Sequence, residues 1–312
     1  MPDTPHVETI TGEGIRWVNI EEPTPTESAW LQEEFGFHAL DLEDVLSRNQ
    51  RPKIDQYPDY LFIELHFPVY DHNVGRLGAA ELDIFVGRDF LVTIPNRPLK
   101  PVSYLFESCR ADQEMREKHF SRGTGYLLYR LIDDSFGYCF PMLRKIGNKL
   151  DAIEDQIFEN PSLDSVRDIS NAKQEIISFR RVIRPQRTVL RDLENVKQNF
   201  LSPAGEGDLE IYFDDIVDSH ERIWDLLESF KEVAEALEHT NESLISKRFE
   251  NSMRVLTAIA TVALPLTLVA SLFGMNVRVP WEGSIGGFWI VVGAMAILLV
   301  PTLVYFRRKG WL

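Results

Sequence analysis

At 312 residues the chain is long enough for two domains. Its net charge of −15 argues against nucleic acid as a partner and is compatible with cations. Five basic residues and one acidic residue from Asn251 onward give that end +4, which leaves −19 for residues 1–250. Cys109 and Cys139 stand 30 residues apart without a CxxC pattern, so their spacing favours neither a disulfide nor a zinc cluster.

The first part of the chain alternates strand and helix signals, and we predict a small α/β domain over residues 1–125. Thr24-Pro25-Thr26-Glu27 is a capping box with proline at the first helical position, which predicts a helix over SAWLQEEFG. A second short helix is predicted over Leu40–Leu46. Strands are predicted where β-branched and aromatic residues concentrate, and the last two meet in a hairpin across Gly87-Arg88-Asp89. The predicted strands are Arg16–Ile20, Tyr60–Val69, Glu81–Val86 and Phe90–Ile94.

Residues 126–207 are predicted to form an antiparallel hairpin of two long helices. The helical pattern covers Tyr126–Glu159 and then Ser162 to about Phe200, with Asn160-Pro161 between them. A connection this short places the helices side by side and antiparallel. Pro185 lies inside the second helix and predicts a kink there.

A stalk helix is predicted next, over residues 208–252, and its helical pattern continues to Phe273 with only Pro265 inside it. At ~1.5 Å per residue the 66 residues from Asp208 to Phe273 form a helix about 100 Å long. Apolar residues recur along it every seven residues, which indicates packing against other helices. Those helices are either the chain's own hairpin or the stalks of other copies, and both interpretations stay open. The repeating positions are Ile216, Ile223, Phe230, Leu237 and Leu244, with Leu226, Leu227, Val233 and Ala234 near intermediate positions.

Two uncharged runs follow, and they predict a transmembrane region over residues 253–312. The first, Val255–Phe273, has 19 residues without an ionisable side chain, close to the ~20 that a helix needs to cross a bilayer. The second ends in Arg307-Arg308-Lys309. The N-terminus lacks the basic and apolar regions of a signal peptide, and basic residues follow the second run, so both termini are expected in the cytoplasm. The predicted parts are a first span at about 253–275, an external loop at 276–284 and a second span at 285–306.

The expected fold class is therefore an α+β membrane protein. It has a cytosolic α/β domain, a long helical hairpin, a stalk helix continuing into the first span, and a C-terminal second span. The first span has no carboxylate, histidine or cysteine, so an ion that passes it must stay hydrated or be held by neutral oxygens. Mg²⁺ suits this because it gives up water reluctantly. Two spans cannot enclose a path, so a pore requires a ring of subunits; the alternative is a pair of anchor helices. No nucleophile–base pair, P-loop or catalytic metal cluster is found, so we expect no enzyme activity.

Three blocks of sequence resemble the CorA magnesium channel family. Gly274-Met275-Asn276 (GMN) follows an LPLT segment and precedes a short loop and a last span ending YFRRKGWL. HALDLEDVLSRNQRPKIDQYPDYLFI is similar to the family's N-terminal domain, and GYLLYRLIDDSFGYCFPML is similar to its helical hairpin. The resemblance covers essentially the whole chain.

The resemblance implies a homopentamer in the cell inner membrane, in contact with lipid, whose first span lines a pore for divalent cations. The apolar pore residues would form a hydrophobic gate. Asn276 would present its side-chain carbonyl to the water shell of the ion, and Gly274 and Met275 would shape that turn. The implied pore positions are Met253, Leu256, Leu264, Thr267 and Asn276.

The resemblance also implies that carboxylates between neighbouring cytosolic domains sense Mg²⁺. Asp44 and Asp215 occupy the matching positions, and Glu43 with Asp133 match a second pair. Facing carboxylates repel until a divalent ion bridges them. Mg²⁺ is then both substrate and regulatory ligand, and no cofactor is expected.

Two departures from the family pattern affect the choice of ion. His239 stands where many members carry an acidic ring, and it is expected to be a polar packing residue. The loop reads VRVPWEGSIGG without the MPEL pattern, with Arg278 where an acid is common and Glu282 after it. We interpret the chain as a passive Mg²⁺ channel that also passes Co²⁺ or Ni²⁺. The alternatives are a ZntB-like zinc transporter, with proton coupling, and a membrane-anchored coiled-coil scaffold without transport.

Overall fold

The computed structural model describes residues 4–47, 51–71, 76–159, 163–196, 206–275 and 284–310. The chain divides into two compact units: Met1–Gln156 with Val166–Leu237, here called the sheet unit, and Ile157–Ser165 with Glu238–Leu312. Some predicted features lie outside the described residues, and these are Asn160-Pro161, Phe200, Asn276, Arg278, Glu282 and the loop over 276–283.

In the described part of the sheet unit, six strands form one mixed sheet in the order β1-β2-β6-β5-β4-β3. Neighbouring strands are antiparallel except β2 and β6, which are parallel. The predicted strands and the hairpin between β5 and β6 are confirmed, whereas the two edge strands were not predicted. The strands are β1 Glu8–Gly12, β2 Ile15–Asn19, β3 Lys53–Gln56, β4 Tyr60–Asp71, β5 Arg76–Gly87 and β6 Phe90–Pro95.

One face of the sheet is covered by two short helices, α1 (Pro25–Phe35) and α2 (Ala39–Leu46). The capping box predicted for α1 is present: the Glu27 side chain accepts from the Thr24 N–H at 2.9 Å, and the Thr24 hydroxyl accepts from the Thr26 N–H at 3.2 Å. Side chains from the sheet and both helices form one buried core on this face. Its members include Val18, Leu31, Phe37, Leu42, Val45, Phe62, Phe85 and Val92.

Helices α3 (Lys100–Ala111) and α4 (Gln113–Phe120) provide aromatic partners for Trp17 of β2. The Trp17 ring meets Phe106 edge to face at 5.1 Å, and its indole N–H donates to the Thr93 hydroxyl at 3.1 Å. Both aromatic rings are fully buried. Because the one donor of this buried indole is satisfied, burial of the Trp17 ring stabilises the packing of α3 and α4 on the sheet.

Each of the two long helices predicted for the hairpin is divided in the structure. The first consists of α5 (Gly123–Gly137) and α6 (Cys139–Glu159), and the second consists of α7 (Leu163–Ile183) and α8 (Gln186–Val196). Pro185 lies at the second break, where only a kink was predicted. Pro141 explains the first break, because in a continuous helix its ring would clash with the carbonyl of Gly137 four residues earlier.

The predicted long helix is confirmed as α9, which covers Glu206–Phe273 in 68 residues and includes Pro265. Within the sheet unit its heptad positions Ile216, Ile223 and Leu237 are buried. A Cβ placed on Gly147 of α6 would lie 3.3 Å from the ring of Phe230, so α9 packs closely on α6. Packing of the heptad positions against the chain's own helices is therefore confirmed, and packing between copies stays a prediction.

The second unit contains the apolar end of α9 and the last helix, α10 (Ile285–Arg308). Both are long and apolar enough to cross a membrane, and nearly all of their apolar windows are exposed in the chain. Here the apolar segment of α9, Val255–Phe273, is called the first span and α10 the second span.

Candidate ion pathway and metal-binding acids

The predicted pore residues in the first span and just before it are exposed in the single chain. Met253 and Leu256 are exposed, and Leu264 is 70% exposed. The threonine hydroxyls of the span each donate to the backbone carbonyl four residues earlier, at 2.7 to 2.8 Å; they are Thr257, Thr261 and Thr267. The surface of the span therefore consists of apolar side chains, the hydroxyl of Ser271 and threonine oxygens that can still accept a hydrogen bond.

Helix α9 ends at Phe273, directly before the GMN tripeptide. The Gly274 N–H donates to the Ala270 carbonyl at 2.9 Å. A Cβ on Gly274 would come within 3.1 Å of that carbonyl oxygen, so a larger residue would require the turn to shift. Met275 is exposed. Asn276, the predicted selectivity residue, follows directly beyond the described residues.

Asp44 of α2 forms an ion pair inside the sheet unit. Its carboxylate lies 2.6 Å from the Lys53 Nζ of β3, which also contacts Asp55 at 2.7 Å. Burial lowers the pKa of Lys53, but its two carboxylate partners outweigh this and raise that pKa above its usual range. A cation that binds Asp44 must therefore compete with Lys53. Glu43 is exposed beside it.

Asp133 of α5 and Asp215 of α9 lie within electrostatic reach of each other. Asp133 accepts from Arg130 Nη1 at 2.9 Å, and Asp215 accepts from the Tyr129 hydroxyl at 3.3 Å. Burial raises the pKa of Asp133; Arg130 opposes this, while Asp134 and Asp215 add to it. Burial together with Asp133 and Asp215 raises the pKa of Tyr129 to about 12. The local field on this side of α9 thus favours a cation.

The single chain brings Asp133 and Asp215 together, and it places Glu43 next to Asp44 on α2. The pairs implied by the family resemblance, Asp44 with Asp215 and Glu43 with Asp133, would form between neighbouring subunits and stay predictions. The side chain of His239 is 82% exposed and approaches Glu242 at 3.9 Å. Within the described residues of one chain His239 is not packed, and its expected packing role stays a prediction for the assembled ring.

A group of ionisable side chains on the neighbouring strands β4 and β5 was not predicted. Glu64 and His66 of β4 lie opposite Asp83 and Glu81 of β5, respectively. Glu64, Glu81 and Asp83 are buried, and burial raises the pKa of Asp83 well above its usual range. Burial lowers the pKa of His66, but its close contacts with the carboxylates of Glu64 and Glu81 raise it to about 9. The sequence does carry a signal for this group, because polar residues alternate with apolar ones inside the strand sequences YLFIELHFPV and ELDIFV.

Together, these features define a membrane protein with two C-terminal spans, whose first span continues a helix that carries acidic residues. The comparison with protein families identifies it further. The chain belongs to the family of CorA-like Mg²⁺ transporter proteins, whose model matches residues 12–308. This family is one of transporters and is not an enzyme class.

Individual relatives agree with this assignment. The chain is 30% identical over 301 residues to the cobalt/magnesium transport protein CorA of Thermotoga maritima, covering 95% of this chain and 83% of that protein. It is also 30% identical over 302 residues to the putative metal ion transporter YfjQ of Bacillus subtilis, covering 95% and 89%. The solved CorA magnesium transporter of Methanocaldococcus jannaschii has the same fold, with a TM-score of 0.80 at 21% identity over 97% of this chain and 94% of that one.

Proposed function

We propose that this chain forms a homopentameric channel in the cell inner membrane, through which hydrated Mg²⁺ enters the cell passively. Co²⁺ and Ni²⁺ are expected to pass as well. The observation that carries the proposal is the composition of α9: one helix bears Asp215 in the sheet unit and ends in a span without an ionisable side chain. Both termini would lie in the cytoplasm.

The polarity of the first span supports transport of the hydrated ion. A bare divalent cation would lose its hydration among Leu256, Leu264 and their neighbours without gaining a charged ligand. Mg²⁺ keeps several waters readily, and those waters can donate to the free lone pairs of Thr267 and to the carbonyl of Asn276. Selection at Asn276 would then act on the hydrated ion, and the apolar positions would close the pore by dewetting.

The exposure of the two spans supports a ring of subunits. Two helices from one chain cannot surround a path, and nearly all of their apolar surface is uncovered. Lipid can cover the second span, while copies of the first span facing each other would enclose the pore. A pentamer is expected from the family resemblance.

The acids of the sheet unit support regulation by Mg²⁺ on the cytoplasmic side. Asp215 and Asp133 repel each other and are close to water, and Asp44 shares its cation, Lys53, with Asp55. A bridging Mg²⁺ between subunits would relieve such repulsion. It controls the pore only if it binds the closed ring better than the open one. Each site would contribute about 1–3 kcal/mol of coupling, and several sites acting together could dominate the gate.

Ion flux into liposomes tests the function. Protein in liposomes should take up Mg²⁺ with no pH gradient, and Asn276→Ala should abolish most of this uptake while the oligomer, measured by light scattering, is unchanged. Zn²⁺ uptake that depends on a pH gradient would instead support the zinc transporter. No flux of any divalent ion would support the scaffold, and a monomer or dimer in mild detergent would contradict the ring.

Protease protection and flux at increasing Mg²⁺ concentration test the regulation. The wild type should become protected and less conductive as Mg²⁺ rises, whereas Asp44→Ala with Asp215→Ala should stay sensitive and conductive. The matched control is Asp59→Ala with Asp225→Ala, which removes two exposed acids from the same unit. Coincident titrations for the wild type and the Asp44/Asp215 variant would show that the sensor lies elsewhere.

A further inference from the structure

The polar group on β4 and β5 lies in an unusual place for ionisable side chains. Its residues share the face of the sheet on which Phe62 and Phe85 pack against α1 and α2. Glu64 is 0% exposed, and Glu81 is also buried. Carboxylates this deeply buried need either hydrogen-bond donors or a cation to replace lost hydration.

Hydrogen bonds within the described residues do not supply that replacement. Both carboxylate oxygens of Glu64 and the Oε1 of Glu81 are buried and have no hydrogen-bond partner there. Lys53 of β3 lies opposite Glu64 in the sheet and acts on it electrostatically, but its Nζ contacts Asp44 and Asp55. The His66 imidazole therefore faces two buried carboxylates, and three of their four oxygens accept no hydrogen bond within the described residues.

The distances fit three ligands around one ion better than a hydrogen-bonded pair. The His66 Nε2 lies 3.3 Å from the Glu81 Oε2 and 3.6 Å from the Glu64 Oε1. A charge-assisted hydrogen bond is usually shorter, about 2.7–2.9 Å. Two ligands of a tetrahedral ion with bonds of about 2.0–2.1 Å are separated by about 3.3 Å. One ligand atom from each of the three residues lies within 4.8 Å of the others.

We propose that Glu64, His66 and Glu81 form a binding site for a divalent transition-metal ion of the Zn²⁺, Co²⁺ or Ni²⁺ type. Imidazole and carboxylate suit these ions, whereas Mg²⁺ prefers oxygen ligands and keeps its water. Two carboxylates balance the charge of one divalent ion, which makes the buried site neutral. The site shares no ligand with the proposed pore or with the Asp44 and Asp215 sensor, and it can be present whether or not the proposed transport is correct.

The strands hold the ligands in place, and one ligand is partly exposed. The Gln186 side chain donates to the His66 carbonyl at 2.6 Å and accepts from the His66 N–H at 3.2 Å. The Glu81 N–H donates to the Asn96 side chain at 2.9 Å. The His66 side chain is 14% exposed, so the group is not fully closed to solvent. A fixed backbone on both strands reduces the reorganisation that binding requires.

Co²⁺ binding to the full chain in detergent tests the site. After removal of metal with a chelator, the protein is dialysed against Co²⁺, and bound metal and visible absorbance are measured. A four-coordinate Co²⁺ with a nitrogen ligand absorbs strongly in the visible, whereas six-coordinate all-oxygen Co²⁺ absorbs weakly. The wild type should show the strong band and bind one more tight equivalent per chain than His66→Gln or Glu81→Gln. Loss of a ligand should exceed the ~10–100-fold loss of affinity that removal of an outer-shell partner causes.

The control is His239→Gln, which removes an exposed imidazole from α9 and should leave both measurements unchanged. X-ray absorption of the Co²⁺-loaded wild type provides a second measurement that does not depend on the folding of a variant. One nitrogen and carboxylate oxygens around the ion would support the site. An all-oxygen shell, or equal stoichiometry and spectra for the wild type and His66→Gln, would overturn it and leave protonated His66 as an ordinary ion-pair partner.

Discussion

The sheet unit and the two apolar spans are both rich in large apolar side chains, but only the sheet unit buries them within one chain. Trp17 and Phe85 are fully buried, each against aromatic neighbours. Leu264 in the first span and Ile297 in the second are more than two-thirds exposed. Exposed apolar surface of this extent marks a surface that contacts lipid or protein. The sheet unit therefore buries its apolar side chains within one chain, whereas the spans need lipid or other protein to cover theirs.

The ionisable groups differ between the regions in the same way. The sheet unit contains Asp44 paired with Lys53, and His66 between two carboxylates. The first span has no ionisable side chain, and its threonines donate to their own helix. Charge is therefore concentrated where regulation and metal binding are proposed, and it is missing where the ion is proposed to pass.

The largest effect is expected from truncating the core of the sheet unit. Trp17→Ala should lower the free energy of unfolding by about 3–5 kcal/mol, because it removes a fully buried ring and leaves a cavity beside Phe106. Urea unfolding followed by far-ultraviolet circular dichroism measures this. Tyr104→Ala on α3, a side chain that is 75% exposed, should change the same quantity by no more than about 0.5 kcal/mol. Equal shifts for the two variants would contradict the assignment of the core.

The same type of truncation in the first span should change flux and not folding. Leu264→Ala should leave the unfolding midpoint nearly unchanged and raise Mg²⁺ leak several-fold at high Mg²⁺, because it widens the proposed hydrophobic gate. Leu266→Ala is the matched control, since it lies about 200° around the helix from Leu264. Liposome flux measures the leak. Equal leak from the two variants would mean that Leu264 does not face the pore.

Much of the fold could be predicted because its signals are local. The capping box at Thr24 and Glu27 requires only four consecutive residues, and α1 begins there as expected. The central strands were recognised from β-branched and aromatic runs. The edge strands β1 and β3 were missed because ETITG and KIDQ carry weak local patterns, and their pairing with β2 and β4 stabilises them.

The candidate site was less predictable because its contacts join distant parts of the chain. Asp44 was selected by family resemblance, but its pairing with Lys53 depends on α2 lying beside β3. His66 and Glu81 are 15 residues apart and meet only through the register of β4 and β5. A shift of that register by one residue would move one of them to the other face of the sheet. Such contacts become visible only once the strands are paired.

The smallest effect is expected from acidification. The loss of stability at low pH should depend on buried histidines of the sheet unit and not on exposed histidines. His220 of α9 is buried, and its Nε2–H donates to the Ile183 carbonyl at 2.9 Å. Burial lowers its pKa from 6.5; that hydrogen bond and Glu221 oppose the shift, and Arg187 adds to it. Because the folded-state pKa is lowered, the unfolded chain binds more protons below about pH 6.5. Stability should therefore fall as the pH falls through that range, by at most about 1.4 kcal/mol per pH unit for this group.

His220→Gln should reduce this pH dependence, because a glutamine amide can still donate to Ile183 but does not titrate. His119 is also buried with a lowered pKa, so part of the dependence should persist in the variant. His239→Gln on the same helix removes an exposed imidazole and should keep the wild-type profile. Urea midpoints measured between pH 5 and 8 for the three proteins decide the question, since that interval brackets the ordinary histidine pKa of about 6.5. A His220→Gln profile that coincides with the wild type would mean that His220 becomes protonated equally in the folded and unfolded chain, and that its burial does not control the acid stability of the sheet unit.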